Sequence, residues 1–147
     1  MKQFLIGVIL LFSANLSYAQ EIDPNIELIQ KEFEAYLEDF IARDAVELAT
    51  HFQFPSINKA AIPNSVFHTK EEITEFWDSF PLQDGYAYST VDNLKIHRLA
   101  DPIYYLDLDY SRYNDNDELL YEGSSIYLYG DETGSWKIFF QWTGDRE

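Results

Sequence analysis

IYYLDLDYSRYNDNDELLYEGSSIYLYGDETGSWKIFFQW, residues 103–142, decides the fold. Its first part alternates: Tyr104, Leu106, Leu108 and Tyr110 share one face, and Tyr105, Asp107, Asp109 and Ser111 the other. A period of two marks a strand with one buried face. The last part repeats the pattern, with Trp136, Ile138, Phe140 and Trp142 set against Lys137, Phe139, Gln141 and Thr143. Asn114–Asp117 and Asp131–Gly134 carry turn residues. The stretch therefore reads as three antiparallel strands, roughly 103–113, 119–130 and 135–143.

Facing apolar residues with one another sets an expected register. Leu106 pairs with Ile126 and Leu108 with Ser124, which puts Tyr110 opposite Glu122. Pairing Leu128 with Trp136 then puts Glu122 opposite Trp142. The concave face would carry a row of Tyr110, Glu122 and Trp142, with Arg112 one inward step beyond. The outer face would carry Tyr105, Tyr121, Tyr127, Tyr129 and Phe139. That is a large aromatic area to leave in water, and it suggests a homodimer through the outer sheet face.

The preceding chain supplies what such a sheet must cover. Asp23 with Pro24 is a helix-start signal. Ile26, Ile29, Phe33, Tyr36, Leu37, Phe40 and Ile41 recur at helical spacing, giving a helix over 24–42. Asp44 and Glu47 form a capping box for a shorter helix ending near Phe54-Pro55. Residues 55–68 read as a small hairpin around Pro63-Asn64, with Ile57 and Val66-Phe67 on its arms. Thr69 and Glu72 cap a third helix over 70–80, with Ile73, Phe76, Trp77 and Phe80 on one face and Pro81 as its stop. A long strand over 87–99 changes phase at Asp92-Asn93, which predicts a bulge there. Helices and strands are segregated, so the class is α+β in one domain, residues 20–147.

These elements resemble the nuclear transport factor 2-like superfamily, with its ketosteroid isomerase-like and polyketide cyclase-like (SnoaL-like) members. The carriers are the long first helix with Phe33, Tyr36 and Phe40, and the short helix running into His51-Phe52-Gln53-Phe54-Pro55. The Thr69-Lys70-Glu71-Glu72-Ile73 helix start and the closing Gly134-Ser135-Trp136-Lys137-Ile138 match as well. The resemblance implies a cone: a curved antiparallel sheet wrapped around three N-terminal helices, with a pocket at its wide end. It implies no single function, because this fold hosts enzymes, ligand binders and protein-binding modules.

Composition narrows the partners. The chain holds 26 acidic and 10 basic residues, a formal net charge of −16. Such a surface repels phosphate backbones and anionic headgroups, so nucleic acid and membrane surfaces are excluded as partners. Aromatic residues make up 17% of the chain, which argues for a packed domain despite the acidity. Cysteine is absent, so there is neither disulfide nor thiol chemistry. No G-x-S-x-G and no Gly-rich phosphate loop occurs. The three histidines, His51, His68 and His97, show no metal-ligand spacing, and no metal or other cofactor is expected.

Two readings of function remain. In the first, an aromatic-lined pocket holds a hydrophobic small molecule or the domain pairs with a protein, without turnover. Tyr36, Phe40, Tyr110, Arg112 and Trp142 are then the candidate ligand contacts. In the second, the protein moves protons on a lipophilic substrate as an isomerase, dehydratase or cyclase. Glu122 is the candidate base and His51 the candidate acid/base at the pocket mouth. Asp107 and Asp109 have the wrong parity to reach the pocket. A buried carboxylate or a His–Asp pair inside the pocket would favour the enzyme.

Residues 1–19 read as a cleaved secretory signal. Lys2 precedes an apolar run from Phe4 to Phe12, and Ser17-Tyr18-Ala19 places small residues at −3 and −1. Nine apolar residues are too few to span a bilayer. The expected product is an exported chain, periplasmic or secreted, beginning at Gln20. Intact-mass measurement of protein from the exported fraction checks this; a mass that includes residues 1–19 refutes it.

Overall fold

A computed structural model describes residues 23–59, 65–131 and 134–146. The leader and the Pro63-Asn64 turn fall outside these residues. The element order is α1 (Pro24–Ala42), α2 (Ala45–Leu48), a 3₁₀ turn (Ala49–His51), β1 (Phe52–Lys59), β2 (Ser65–Phe67), α3 (Lys70–Asp78), β3 (Tyr86–Ala100), β4 (Ile103–Asn114), β5 (Leu119–Asp131) and β6 (Trp136–Asp145). No described helix is long and apolar enough to cross a membrane.

Asp23 caps α1 by accepting from Asn25 N at 3.0 Å. The same carboxylate accepts from Tyr104 Oη, which ties the helix start to β4. Ile29, Phe33, Tyr36 and Phe40 form its buried stripe. Arg43 ends the helix in the left-handed region at φ 61°. Asp44 then caps α2 through Glu47 N at 3.0 Å. The sequence suggests that this helix runs to Phe54, but strand geometry begins at Phe52. The reason is tertiary: β1 lies parallel to β6, and that pairing buries Ser56 and Asn58. Thr69 caps α3, which buries Ile73 and Trp77.

The sheet has six strands in the order β2-β1-β6-β5-β4-β3. All pairs are antiparallel except β1 with β6. The sheet is therefore mixed, where the sequence suggested purely antiparallel pairing. It curves over α1 as an open cone. The bulge expected at Asp92 is present between Val91 and Asn93.

Two further bulges overturn the expected register, together with a β5–β6 hairpin in which Trp136 faces Asp131 and not Leu128. Arg112 lies opposite Tyr121 but Tyr113 opposite Leu119, so Leu120 is an extra residue on β5. From there on Tyr110 faces Gly123, Leu108 faces Ser125 and Leu106 faces Tyr127. One residue of slip reverses every side chain. Glu122 consequently points outward, opposite Ser111, and accepts from Arg146 Nη1 at 3.1 Å. The second bulge is at Phe139, between the Leu128–Phe140 and Tyr129–Ile138 pairs. Trp136 and Ile138 face inward before it, and Gln141 and Thr143 after it. Trp142 is turned to the outside, 38% exposed, with its ring over Gly144.

The aromatic outer patch is corrected for the same reason. Tyr127 and Tyr129 are buried on the concave side, and Tyr121 joins them there against Arg112. Tyr105 stays outside, stacked on His97 at 5.0 Å.

Gly123 makes the actual register fit. A Cβ there would lie 2.5 Å from Tyr110 Oη and 2.7 Å from Tyr121 Cε1. The Tyr110 ring therefore rests on bare backbone across the strand pair. Gly123→Ala is expected to cost about 1–3 kcal/mol by overpacking. Urea denaturation checks this; an unchanged midpoint would show that the Tyr110 ring is free to move aside.

Candidate functional site

Between α1 and the concave face lies a narrow cavity, with about 40 Å³ open to the centre of a water-sized sphere, that opens to solvent at its mouth. Phe33, Tyr36 and Phe40 of α1 form one wall, and Trp77 and Phe80 close one side. The sheet contributes Leu108 and Tyr110 from β4, Ser125 and Tyr127 from β5, and Gln141 and Thr143 from β6. Ser89, Thr90 and Val91 of β3 complete the lining. The aromatic rings meet edge to face: Tyr127 is 5.6 Å from both Phe33 and Tyr36, and Phe40 is 5.7 Å from Trp77. Such contacts hold the wall in one arrangement.

Its polar groups form two clusters. In the first, Gln141 Nε2 donates to the hydroxyls of Tyr36 and Tyr127, each at 3.4 Å. Asn58 Nδ2 donates to Gln141 Oε1 at 3.3 Å. Ser125 and Thr143 share a hydrogen bond of 2.8 Å. Burial pushes the Tyr127 phenol up to about 12 and the Tyr36 phenol well above its ordinary value. Both are neutral hydroxyls at physiological pH, and poor bases.

The second cluster centres on Arg112, 8% exposed. Its guanidinium carbon lies 5.0 Å from the ring centre of Tyr110, 5.5 Å from Phe40 and from Tyr121, and 5.9 Å from Tyr86. Nη1 donates to Gln83 Oε1 at 3.0 Å.

The structure thus brings Tyr36, Phe40, Tyr110 and Arg112 to one cavity and leaves the other three candidates outside it. Trp142 and Glu122 are on the outer face. Glu122 shares Arg146 with Asp92, which accepts from Nη2 at 2.6 Å. His51 is not a lining residue. It is buried beneath α1, with Nδ1 2.9 Å from Glu32 Oε1 and Nε2 2.8 Å from Asp39 Oδ2. Carboxylates at both ring nitrogens require both to carry hydrogen, which favours the imidazolium. Burial pulls the His51 pKa down, but the hydrogen bonds to Glu32 and Asp39 outweigh it and the net shift is upward. Lys137 Nζ also donates to Glu32, at 3.2 Å. His51 is therefore a clip between α1 and the strand that follows it.

No Asp, Glu or His among the described residues lines the cavity. Among the described residues no group of three or more His, Cys, Asp or Glu is arranged to hold a metal ion. The sequence reading missed Ser125, Gln141 and Thr143. Their one signal was the adjacent Phe139-Phe140 pair, because strict alternation cannot bury both rings and so hints at a bulge.

A curved sheet folded over a long helix, with an apolar cavity between them, defines the nuclear transport factor 2-like class. The profile of a family described as NTF2-like protein (DUF6841) matches residues 25–145, and the chain belongs to that family. Among solved structures, ActVI-ORFA from Streptomyces coelicolor is similar, with a TM-score of 0.68 at 10% identity over 83% of this chain and 97% of that one. A ketosteroid isomerase-like protein from Erwinia carotovora atroseptica gives 0.65 at 16% identity, over 82% and 95%. A putative calcium/calmodulin dependent protein kinase II association domain from Xanthomonas campestris gives 0.62 at 12%, over 80% and 85%. At these identities the likeness is one of fold. A search of curated proteins finds no match.

The His51 clip has a defined pH signature. Its folded pKa is raised above 6.5, so its contribution is full below that value and is lost as pH rises through the raised one. For Glu32, burial raises the pKa, but the His51 and Lys137 partners bring it below 4.5. Its contribution is present above 4.5 and is lost as pH falls through the depressed value. The stability advantage of the parent over His51→Gln is expected to be largest between these limits and to shrink as the pH rises through the raised His51 value. Urea midpoints of both proteins across pH test this; a constant difference would remove the imidazolium.

Proposed function

We propose that this protein binds a small, mostly apolar molecule in the cavity between α1 and the sheet, without turning it over. We further propose that it does so outside the cytoplasm, after loss of residues 1–19. One observation carries the binding reading: the cavity wall is mostly aromatic and aliphatic, and among the described residues no carboxylate or imidazole faces it. Proton transfer at carbon needs a base within hydrogen-bond reach of the substrate. Glu122 and His51, the two candidates for that role, are committed to Arg146 and to the α1 carboxylates. The hydroxyls of Tyr36 and Tyr127 serve as hydrogen-bond donors to a guest. Pockets of this make-up use apolar area for affinity and a few polar groups for orientation.

Val91 stands at the mouth, 40% exposed. Val91→Trp should narrow the entrance at little cost to the fold. In a thermal-shift screen with naphthalene- and indole-sized compounds, ligands should stabilise the parent by about 2.7 kcal/mol at 100 times Kd. The same ligands should leave Val91→Trp unshifted. Equal shifts in both proteins would place binding elsewhere.

A further inference from the structure

Arg112 is a buried cation with no anion beside it among the described residues. The chain has far more acids than bases, yet no ion pair to Arg112 exists among the described residues. The outlying Arg146, by contrast, reaches three carboxylates. Gln83 satisfies one corner of the Arg112 fork, and Nε is buried without an acceptor. Four surrounding rings stabilise the charge through their faces but accept none of its N–H hydrogens in-plane. A buried guanidinium in this state has unused, directional, charge-assisted hydrogen-bonding capacity.

We propose that the cavity takes a ligand bearing a single carboxylate on a flat apolar body, the carboxylate held by the free edge of the Arg112 fork and the body lying among Phe33, Tyr36, Phe40 and Tyr127. This rests on reading the cavity as a binding site. The planar fork matches a carboxylate bidentately. A phosphate dianion would bring a second charge, and among the described residues no other cation lines the cavity to meet it. A neutral guest would leave the guanidinium as it stands.

The test compares isosteric probes by titration calorimetry: 2-naphthylacetate, and its neutral amide. The parent is expected to bind the carboxylate at least about 10-fold more tightly, the scale of a hydrogen bond to a charged group. Arg112→Gln should lose that preference and keep its affinity for the amide within about 3-fold. A second variant leaves the buried arginine in place. Gln83→Glu supplies the missing anion from within the protein, and should also abolish the preference while retaining amide binding. Equal affinity of the parent for both probes overturns the carboxylate proposal and leaves the cavity reading intact. A preference that survives Gln83→Glu undiminished overturns the role of Arg112. Binding of neither probe to the parent overturns the cavity reading as well.

Discussion

The contact of Tyr127 with Phe33 and Tyr36 governs the rest of the structure. A helix stripe of large rings must be covered, and Tyr127 is the strand residue that covers it. With Tyr127 inward, parity sends Tyr129, Ser125, Gly123 and Tyr121 inward as well. The aliphatic residues Ile126 and Leu128 are displaced to the outer face, where Trp142 and Phe140 lie opposite them. β5 therefore buries its more polar-looking side. Of the two small residues on that side, Ser125 lines the cavity and Gly123 receives the Tyr110 ring.

Most of the architecture was legible in the sequence, because local chemistry encodes it. Asp23-Pro24, Asp44 with Glu47, and Thr69 with Glu72 each announced a helix start that the backbone confirms. Three strands and the Asp92 bulge followed from alternation and its one visible phase change. The extent of the second helix was not legible, because the chain leaves it to pair with a strand some 80 residues later, and local preference does not report that (β1 meets β6, as in Ile57 with Phe140). The polar half of the site was lost to two bulges. Leu120 lies within Leu119-Leu120-Tyr121, and nothing in that triplet says which residue is unpaired. An error of one there moved Glu122 into the cavity and Tyr127 out of it.

The charge distribution follows from the same geometry. Asp92, Asp109 and Glu122 gather on the outer face around Arg146, which also donates to Tyr110 O at 2.8 Å. Glu32 and Asp39 gather around His51 under α1. Both clusters keep carboxylates paired and away from the cavity. Among the described residues, what remains inside is one cation and several neutral hydroxyls. The net negative exterior opposes the approach of an anion, while the proposed site around Arg112 would favour it once it had arrived. Selectivity in such an arrangement resides in the bound state and in its dissociation rate, and added salt would speed the encounter by screening the exterior.

The cation and the bulge are linked through one glycine. The Leu120 bulge brings Gly123 opposite Tyr110, and the absent Cβ lets the Tyr110 ring lie against the strand. The ring so placed is the nearest of the four that surround the Arg112 guanidinium. Tyr121, opposite Arg112 in the same register, supplies another. Without the bulge, Glu122 would face inward one step from Arg112 and neutralise it, as the simpler register implied. The extra residue in β5 thus exchanges an internal ion pair for an aromatic box around an unpaired cation. That exchange raises the cost of burying Arg112 and leaves its hydrogen-bonding edge open.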